Sequence, residues 1–328
     1  MAATTDAGGS RPGASSWLAL PTPIRRLFKL FPLVTYPPTP LPCRSPTAAT
    51  TATASSSSSF SEQRPRLYIF SSEEDARLGR PSYNPACLKW QTLLRIAGVD
   101  VDLTPSSNHA SPSGSLPFLL LPAPASDAAV GTAEEKSGSP AGAGAASVVP
   151  AGSGMLGFAK NRTGFEVPSV PEHKLEAYKA LVAQAIRPAW LYALYLDPSN
   201  KQLLADLYLP VNPILSASTR HALAAAARAS ILRQTRAAVV DPAQLLCDAR
   251  DALRALSDLL GHGGGGGEWF FGAAGPGTLD AEVFAYTHLL LDEGALAWGN
   301  NELGREVAAF GNLVEHQKRL FGKCWGKH

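Results

Sequence analysis

The chain has 328 residues, 45% of them apolar, and a formal net charge of +2 at pH 7. That length holds one large domain or two small ones with material for a core, and the near-neutral balance gives no global basis for nucleic-acid binding. Cys43, Cys87, Cys247 and Cys324 lie far apart with no CxxC pair, which argues against a disulfide framework or a zinc site and suits a reducing compartment. The histidines form neither HxxxH nor HExxH. No apolar run reaches the length of a membrane span; the best, LVAQAIRPAWLYALYL, is broken by Arg187 and Pro188. Any work at a membrane is therefore expected of a peripheral subunit.

Residues 1–62 form a low-complexity arm rich in Ala, Ser, Thr and Pro, too poor in large apolar groups to build a core. One apolar island, PIRRLFKLFPLVTYPP at 23–38, interrupts it. No acid occurs between Asp6 and Glu62, whereas Arg11, Arg25, Arg26, Lys29 and Arg44 do, the charge pattern of a mitochondrial targeting segment. The prolines, however, would break a presequence helix. Ile24, Leu27, Phe28 and Phe31 have helical spacing, and Pro32 ends any helix there. The island is expected to dock on a partner in trans, with its cations toward anionic headgroups or an acidic surface.

RLYIF (66–70) reads as a buried strand. Glu73, Glu74 and Asp75 read as a solvated loop, since contiguous acids cannot all point at one ion. In YNPACLKWQTLLRIAG (83–98), Ala86, Trp90, Leu93, Leu94 and Ala97 fall on one helical face and Lys89, Gln91, Thr92 and Arg95 on the other. Gly98 ends that helix. VDVDL alternates as a half-exposed strand, and SLPFLLL (115–121) is a third. His109, after Asn108, is expected in a turn hydrogen bond. Residues 122–147 form a low-complexity insertion expected to be disordered, with a short fourth strand at Val148 and Val149.

From about residue 153 the pattern is helical. Ser169-Val-Pro-Glu172 reads as a capping box opening a helix that carries Leu175, Tyr178, Val182, Ile186 and Trp190, kinked at Pro188. Further helices read at 213–237, 241–260, 278–292 and 301–321; in the last, Leu303, Val307, Phe310, Val314 and Phe321 share a face. GHGGGGGE is a linker and not a phosphate loop, because no Lys-Ser/Thr follows and no strand leads in. Trp190, Tyr192 and Tyr195 are expected in core or subunit interface rather than in an aromatic box.

A βαβ unit, a hairpin and then helices make an α+β, mostly α fold. It is glutathione-transferase-like, with a thioredoxin-like domain at 63–152 followed by an all-helical domain at 153–328. Leu116-Pro117 stands where that fold places its cis-proline, making Pro117 a structural cis-proline candidate.

Four segments carry a finer resemblance, to the metaxin family: SPSGSLPFLL, PEHKLEAYKALVAQAIRPAWLYALYLD, WFFGAAGPGTLDAEVFAYTHLLLD and NLVEHQKRLF, in that order. The arm with RLYIFSSEEDARLGRPSYNPACLKWQT is similar to the fungal metaxin-2-like members. One departure is Pro276-Gly277-Thr278-Leu279-Asp280, where Gly277 takes the cap position that usually holds a hydroxyl residue. The resemblance implies a non-enzymatic, peripheral subunit on the cytosolic face of the mitochondrial outer membrane. It implies as partners a barrel-forming subunit, a second metaxin-like subunit and β-barrel precursors, whose last strand it would help recognise.

A glutathione transferase needs a thiolate-stabilising group at the N-terminus of its first helix. By alignment that position is Asn84, whose amide can donate a hydrogen bond but cannot act as nucleophile or base. Cys87 reads as a buried cysteine packing as a small hydrophobe. The acid-serine pair expected after the fourth strand is replaced by PAGSG, with no carboxylate between Glu135 and Glu166. No cofactor and no metal are therefore expected. The alternatives are a glutathione-dependent transferase using Cys87, and a matrix protein whose arm is a cleaved presequence.

Overall fold

The computed structural model describes residues 64–121, 147–261, 268–291 and 296–326. The arm at 1–62, with Ile24, Leu27, Phe28 and Phe31, lies outside them, as do 122–146 of the insertion and the glycine run 262–267.

Four short strands make one sheet: β1 (Arg66–Ile69), β2 (Asp102–Pro105), β3 (Phe118–Leu121) and β4 (Ser147–Pro150), in the order β2-β1-β3-β4. β1 runs parallel to β2 and antiparallel to β3, which runs antiparallel to β4. Ser147, placed by sequence in the insertion, instead pairs with Leu121 and starts β4. Both edge strands, β2 and β4, end in proline, at Pro105 and Pro150. The Leu116–Pro117 bond is cis.

Helix α1 (Glu73–Arg77) replaces the expected acidic loop. The Ser72 hydroxyl accepts from the Asp75 amide and caps it, and three acids in the first turn suit the positive end of the helix dipole. Helix α2 (Pro85–Ile96) starts at Asn84, whose side chain accepts from the amides of Ala86 and Cys87. It stops at Gly98, which adopts φ 69°, open to glycine without a Cβ penalty.

The expected two-faced pattern of α2 is not what packs. Gln91 and Thr92 are buried, and Ala86 is exposed. The helix lies between two cores: Cys87, Leu94 and Ala97 join the sheet's core, and Leu88 joins that of the helical half. The two polar side chains are tolerated because their groups are satisfied close by. Thr92 Oγ1 donates to the Leu88 carbonyl at 2.7 Å, while Gln91 accepts from Ser82 N and donates to the Arg80 carbonyl, each at 2.8 Å.

Helix α3 (Ser153–Thr163) packs Met155 and Ala159 into the sheet's core. The break in packing between the halves thus falls beyond α3, later in the chain than residue 152. The helical half continues as α4 (Glu172–Leu181), a π turn (Val182–Ile186) and α5 (Arg187–Tyr195). Pro171 is the N-cap of α4, with no side-chain cap bond, so the expected Ser169 capping box does not form. Val170 precedes a proline and is biased away from helical geometry, which leaves Ser169 too far back to reach the first turn. The π turn widens the helix just before Pro188, whose ring would otherwise crowd the carbonyl of Gln184.

The remaining helices are α6 (Lys201–Tyr208), α7 (Pro213–Thr235), α8 (Pro242–Gly261), α9 (Thr278–Leu291), α10 (Glu302–Ala308) and α11 (Gly311–Trp325). Like α2, α7 and α8 begin with an Asx-Pro pair: Asn212 accepts from Ile214 N and Leu215 N, and Asp241 from Ala243 N and Gln244 N. The single helix expected at 301–321 is two, broken at Phe310, which has φ −104° and ψ 90°. The break shifts the buried face of α11 to Leu313, His316, Gln317 and Leu320. Among the described residues no helix is long and apolar enough to cross a membrane.

The halves are tied at α2. Lys89 Nζ meets Glu282 Oε2 on α9 at 2.9 Å, with both side chains mostly covered. The Arg95 guanidinium stacks on Trp325 and donates to the carbonyls of Cys324 and Gly79 at 2.8 and 2.7 Å.

Candidate functional site

The N-terminus of α2 is where this fold places thiol chemistry, and the structure puts Asn84 there. Its amide oxygen accepts from Ala86 N at 3.0 Å and Cys87 N at 3.3 Å. Its amide nitrogen donates to the Tyr208 hydroxyl at 3.0 Å. Both ends of the amide are engaged, one with its own helix and the other with α6.

Aromatic rings gather over this turn. Tyr208 lies edge-on to Tyr83 at 5.3 Å and to Phe70 at 5.4 Å, with Tyr195 at 5.9 Å. Such contacts stabilise modestly beyond the area they bury. Burial pushes the Tyr83 hydroxyl up to about 12 and raises those of Tyr195 and Tyr208 as well, the last well above its ordinary value. All three are neutral at physiological pH, able to hydrogen-bond but not to act as bases. Sequence reasoning misses Tyr83, in the turn before α2, and Tyr208, because α6 is too short to stand out as a periodic pattern.

Cys87 is 0% exposed, below the cap, in the sheet's core. Burial pushes its thiol up to about 12, partly opposed by hydrogen bonds with the Phe70 backbone and the Ser82 side chain. At neutral pH it is a thiol, the unreactive form. Iodoacetamide at neutral pH is therefore expected to modify exposed Cys247 and spare Cys87 until the chain is denatured. Peptide mapping before and after urea checks this; native labelling of Cys87 at the rate of Cys247 would refute it. The sign of the pH dependence follows. The folded state holds this proton more tightly than the unfolded chain, so stability is unaffected below the ordinary thiol value of 9.0 and falls as pH rises from there toward 12. Cys87→Ala should flatten part of that fall, at a cost of about 1 to 2 kcal/mol at neutral pH.

After β4, Gly152 at φ 125° leads into α3, which has no side-chain cap. The first carboxylate beyond it, Glu166, is exposed and paired with Lys160 at 2.9 Å. No acid-serine pair is present at this turn.

The start of α9 holds a buried network instead. Asp280 Oδ2 accepts from Gly277 N at 2.8 Å, the reciprocal half of a capping box, while glycine stands in for the hydroxyl half. Asp280 Oδ1 accepts from Phe270 N at 3.1 Å and meets His316 Nε2 at 3.0 Å. His316 is fully buried beside Phe270 and Trp269. Thr278 Oγ1 and His316 Nδ1 are buried without a partner. The pairing of Asp280 with His316, which come from separate helices, left no local trace in the sequence.

The other candidates are dispersed. Trp190 packs edge-on to Tyr286 and Trp298, whereas Tyr195 belongs to the Tyr208 group, so Trp190, Tyr192 and Tyr195 form no common box. Asn108 Oδ1 accepts from Leu116 N at 3.0 Å, ahead of Pro117, and its neighbour His109 is exposed. No group of three His, Cys, Asp or Glu that could hold a metal occurs among the described residues.

This architecture is glutathione-transferase-like: a thioredoxin-like half with a mixed four-stranded sheet, then a helical half. Two family profiles match. The Glutathione S-transferase N-terminal domain covers residues 85–140, and the Glutathione S-transferase, C-terminal domain covers 249–320. Similar solved structures include a glutathione transferase family member from Pseudomonas fluorescens Pf-5 with two glutathione bound, at 11% identity, covering 80% of this chain and 91% of that one, TM-score 0.43. The glutathione transferase GSTFuA2 from Phanerochaete chrysosporium aligns at 14% identity over 78% and 98%, TM-score 0.45, and FzlA from C. crescentus at 13% over 80% and 90%, TM-score 0.40. A comparison with curated proteins finds no match.

Proposed function

We propose that this protein is a non-enzymatic, metaxin-like subunit of the mitochondrial outer-membrane machinery that inserts and assembles β-barrel precursors. It works as a peripheral protein on the cytosolic face, beside a barrel-forming subunit and a second metaxin-like subunit, and takes part in recognising the precursor. The four metaxin-like segments support the assignment. The observation that carries its non-enzymatic part is the Asn84–Tyr208 hydrogen bond over a fully buried Cys87. Where a transferase holds a thiolate-stabilising group, this chain holds an amide committed to structure and neutral tyrosines. An incoming precursor strand has backbone groups that cannot enter lipid unsatisfied, so a cap near an open barrel seam limits its loss and aggregation.

Affinity-tagged full chain, purified from mitochondria in mild detergent, should bring down the barrel-forming subunit and a second metaxin-like subunit. The same protein should pass through immobilised glutathione. Retention that free glutathione reverses and Cys87→Ala abolishes would establish the transferase reading instead.

A further inference from the structure

The stripe that α7 buries at Ala227 and Ile231 continues toward its N-terminus. Stepping back by three and four residues, the same face carries Ala224, His221, Arg220 and Ala217. There it is not covered. It forms one wall of an open cleft of about 460 Å³, whose other walls are the end of α5, the turn after it and α6. Small-molecule sites measure about 300–1,000 Å³. The floor is apolar, with Leu194 and Leu204 buried in it. Ala217 and Ala224 leave the space open because their side chains are small.

Positive charge is in excess around this recess. Lys201 from α6 and Arg220 from α7 line it, and neither has an ion-pair partner among the described residues. Asp197 is the single acid of the lining, and both of its oxygens are engaged. Oδ1 accepts from Ser199 N at 2.8 Å and Oδ2 from Asn300 Nδ2 at 3.1 Å. The chain carries no acid between Asp206 and Asp241, so α7 supplies none. Arg187, half-buried, donates to the Ser230 hydroxyl at 3.2 Å and meets no carboxylate among the described residues. Its charge reaches the cleft wall: burial raises the Tyr195 hydroxyl, opposed by the hydrogen bond with Tyr208 and by Arg187.

We propose that this cleft binds a small amphiphilic anion, a carboxylate head on an apolar body. Cationic side chains from two helices suit the two oxygens of one carboxylate, which the Arg220 fork and the Lys201 ammonium would share. The apolar body lies over Leu194 and Leu204, between the two alanines. Neither half suffices alone, since an exposed ion pair contributes little and the floor by itself does not select for charge. The site is separate from Cys87, which belongs to the sheet's core, and it does not depend on the assembly reading.

The test is isothermal titration of purified full chain with octanoate, octan-1-ol and inorganic phosphate. Octanoate should bind saturably at one site, octanol at least about tenfold more weakly, and phosphate not at all. Arg220→Gln should weaken octanoate at least about tenfold, and Ala224→Leu should do so by filling the cleft, each with unchanged thermal unfolding. Ala217→Leu, at an exposed position, replaces Ala224→Leu if the latter lowers the unfolding midpoint. Arg233→Gln, on the opposite side of α7, and Cys87→Ala should bind as wild type does. Octanol binding as tightly as octanoate would overturn the proposal, as would cleft variants that bind like wild type. A wild type that ignores octanoate overturns it too, and loss of the barrel-forming subunit on Arg220→Gln would then make the cleft a protein contact. If octanoate binds as expected while no assembly subunit co-purifies, the functional reading fails and the cleft stands.

Discussion

Asp280→Ala is expected to be among the most damaging single substitutions, at about 3 to 5 kcal/mol. The carboxylate is 2% exposed and serves Gly277 N, Phe270 N and His316 Nε2 together. Its removal strands buried donors from three segments, and each buried donor left without an acceptor costs about 1 to 3 kcal/mol. Gly277 has no side chain with which to replace the lost acceptor at the helix start. Asp280→Asn keeps the shape but points an amide donor at donors, and should recover only part of the loss. Urea unfolding with an unchanged m-value is the measurement. A shift below about 1 kcal/mol would mean the network is not what holds the start of α9 to α11.

Trp190→Ala should cost a similar amount, about 3 to 5 kcal/mol, through the cavity it leaves. Trp190 is 3% exposed and sits in the helical core with Tyr286 at 5.8 Å and Trp298 at 5.2 Å. The Trp298 ring is itself fixed, its Nε1 donating to the Leu289 carbonyl at 3.0 Å, so it is poorly placed to close the void. Trp190→Phe should retain much of the stability. Were the ring a binding surface, alanine would instead abolish partner capture at nearly unchanged unfolding midpoint, and that result would reject the core assignment.

Order and type of the main elements were legible because they rest on local chemistry. Asx-Pro pairs open α2, α7 and α8, glycine closes α2, and strand-forming runs mark β1 and β3. What one-dimensional periodicity could not reach was the second side of α2. Gln91 and Thr92 read as solvent-facing because they are polar, yet both are buried, their partners lie close by, and α9 packs against this helix. The π turn answers to Pro188, which the sequence marked as a kink without saying what form it takes. At the site, Asn84 was legible as a position but not as a cap, and its partner Tyr208 lies 124 residues away at the end of a helix of only eight residues. Asp280 was legible as an acid near a helix start; His316, 36 residues on, was not legible as its partner.

The outer strands of the sheet constrain how this chain could hold an unfolded polypeptide. β2 and β4 each span four residues and close on a proline, which has no N–H to offer a neighbour. A guest strand laid against either rim would find few donors, and the ladder would stop after one or two rungs. The sheet is thus a poor template for its own extension. That limits edge-to-edge aggregation of the chain with its own copies. It also means that any grip on such a strand falls to side-chain surfaces, which select by shape and charge, and not to backbone pairing, which accepts almost any sequence.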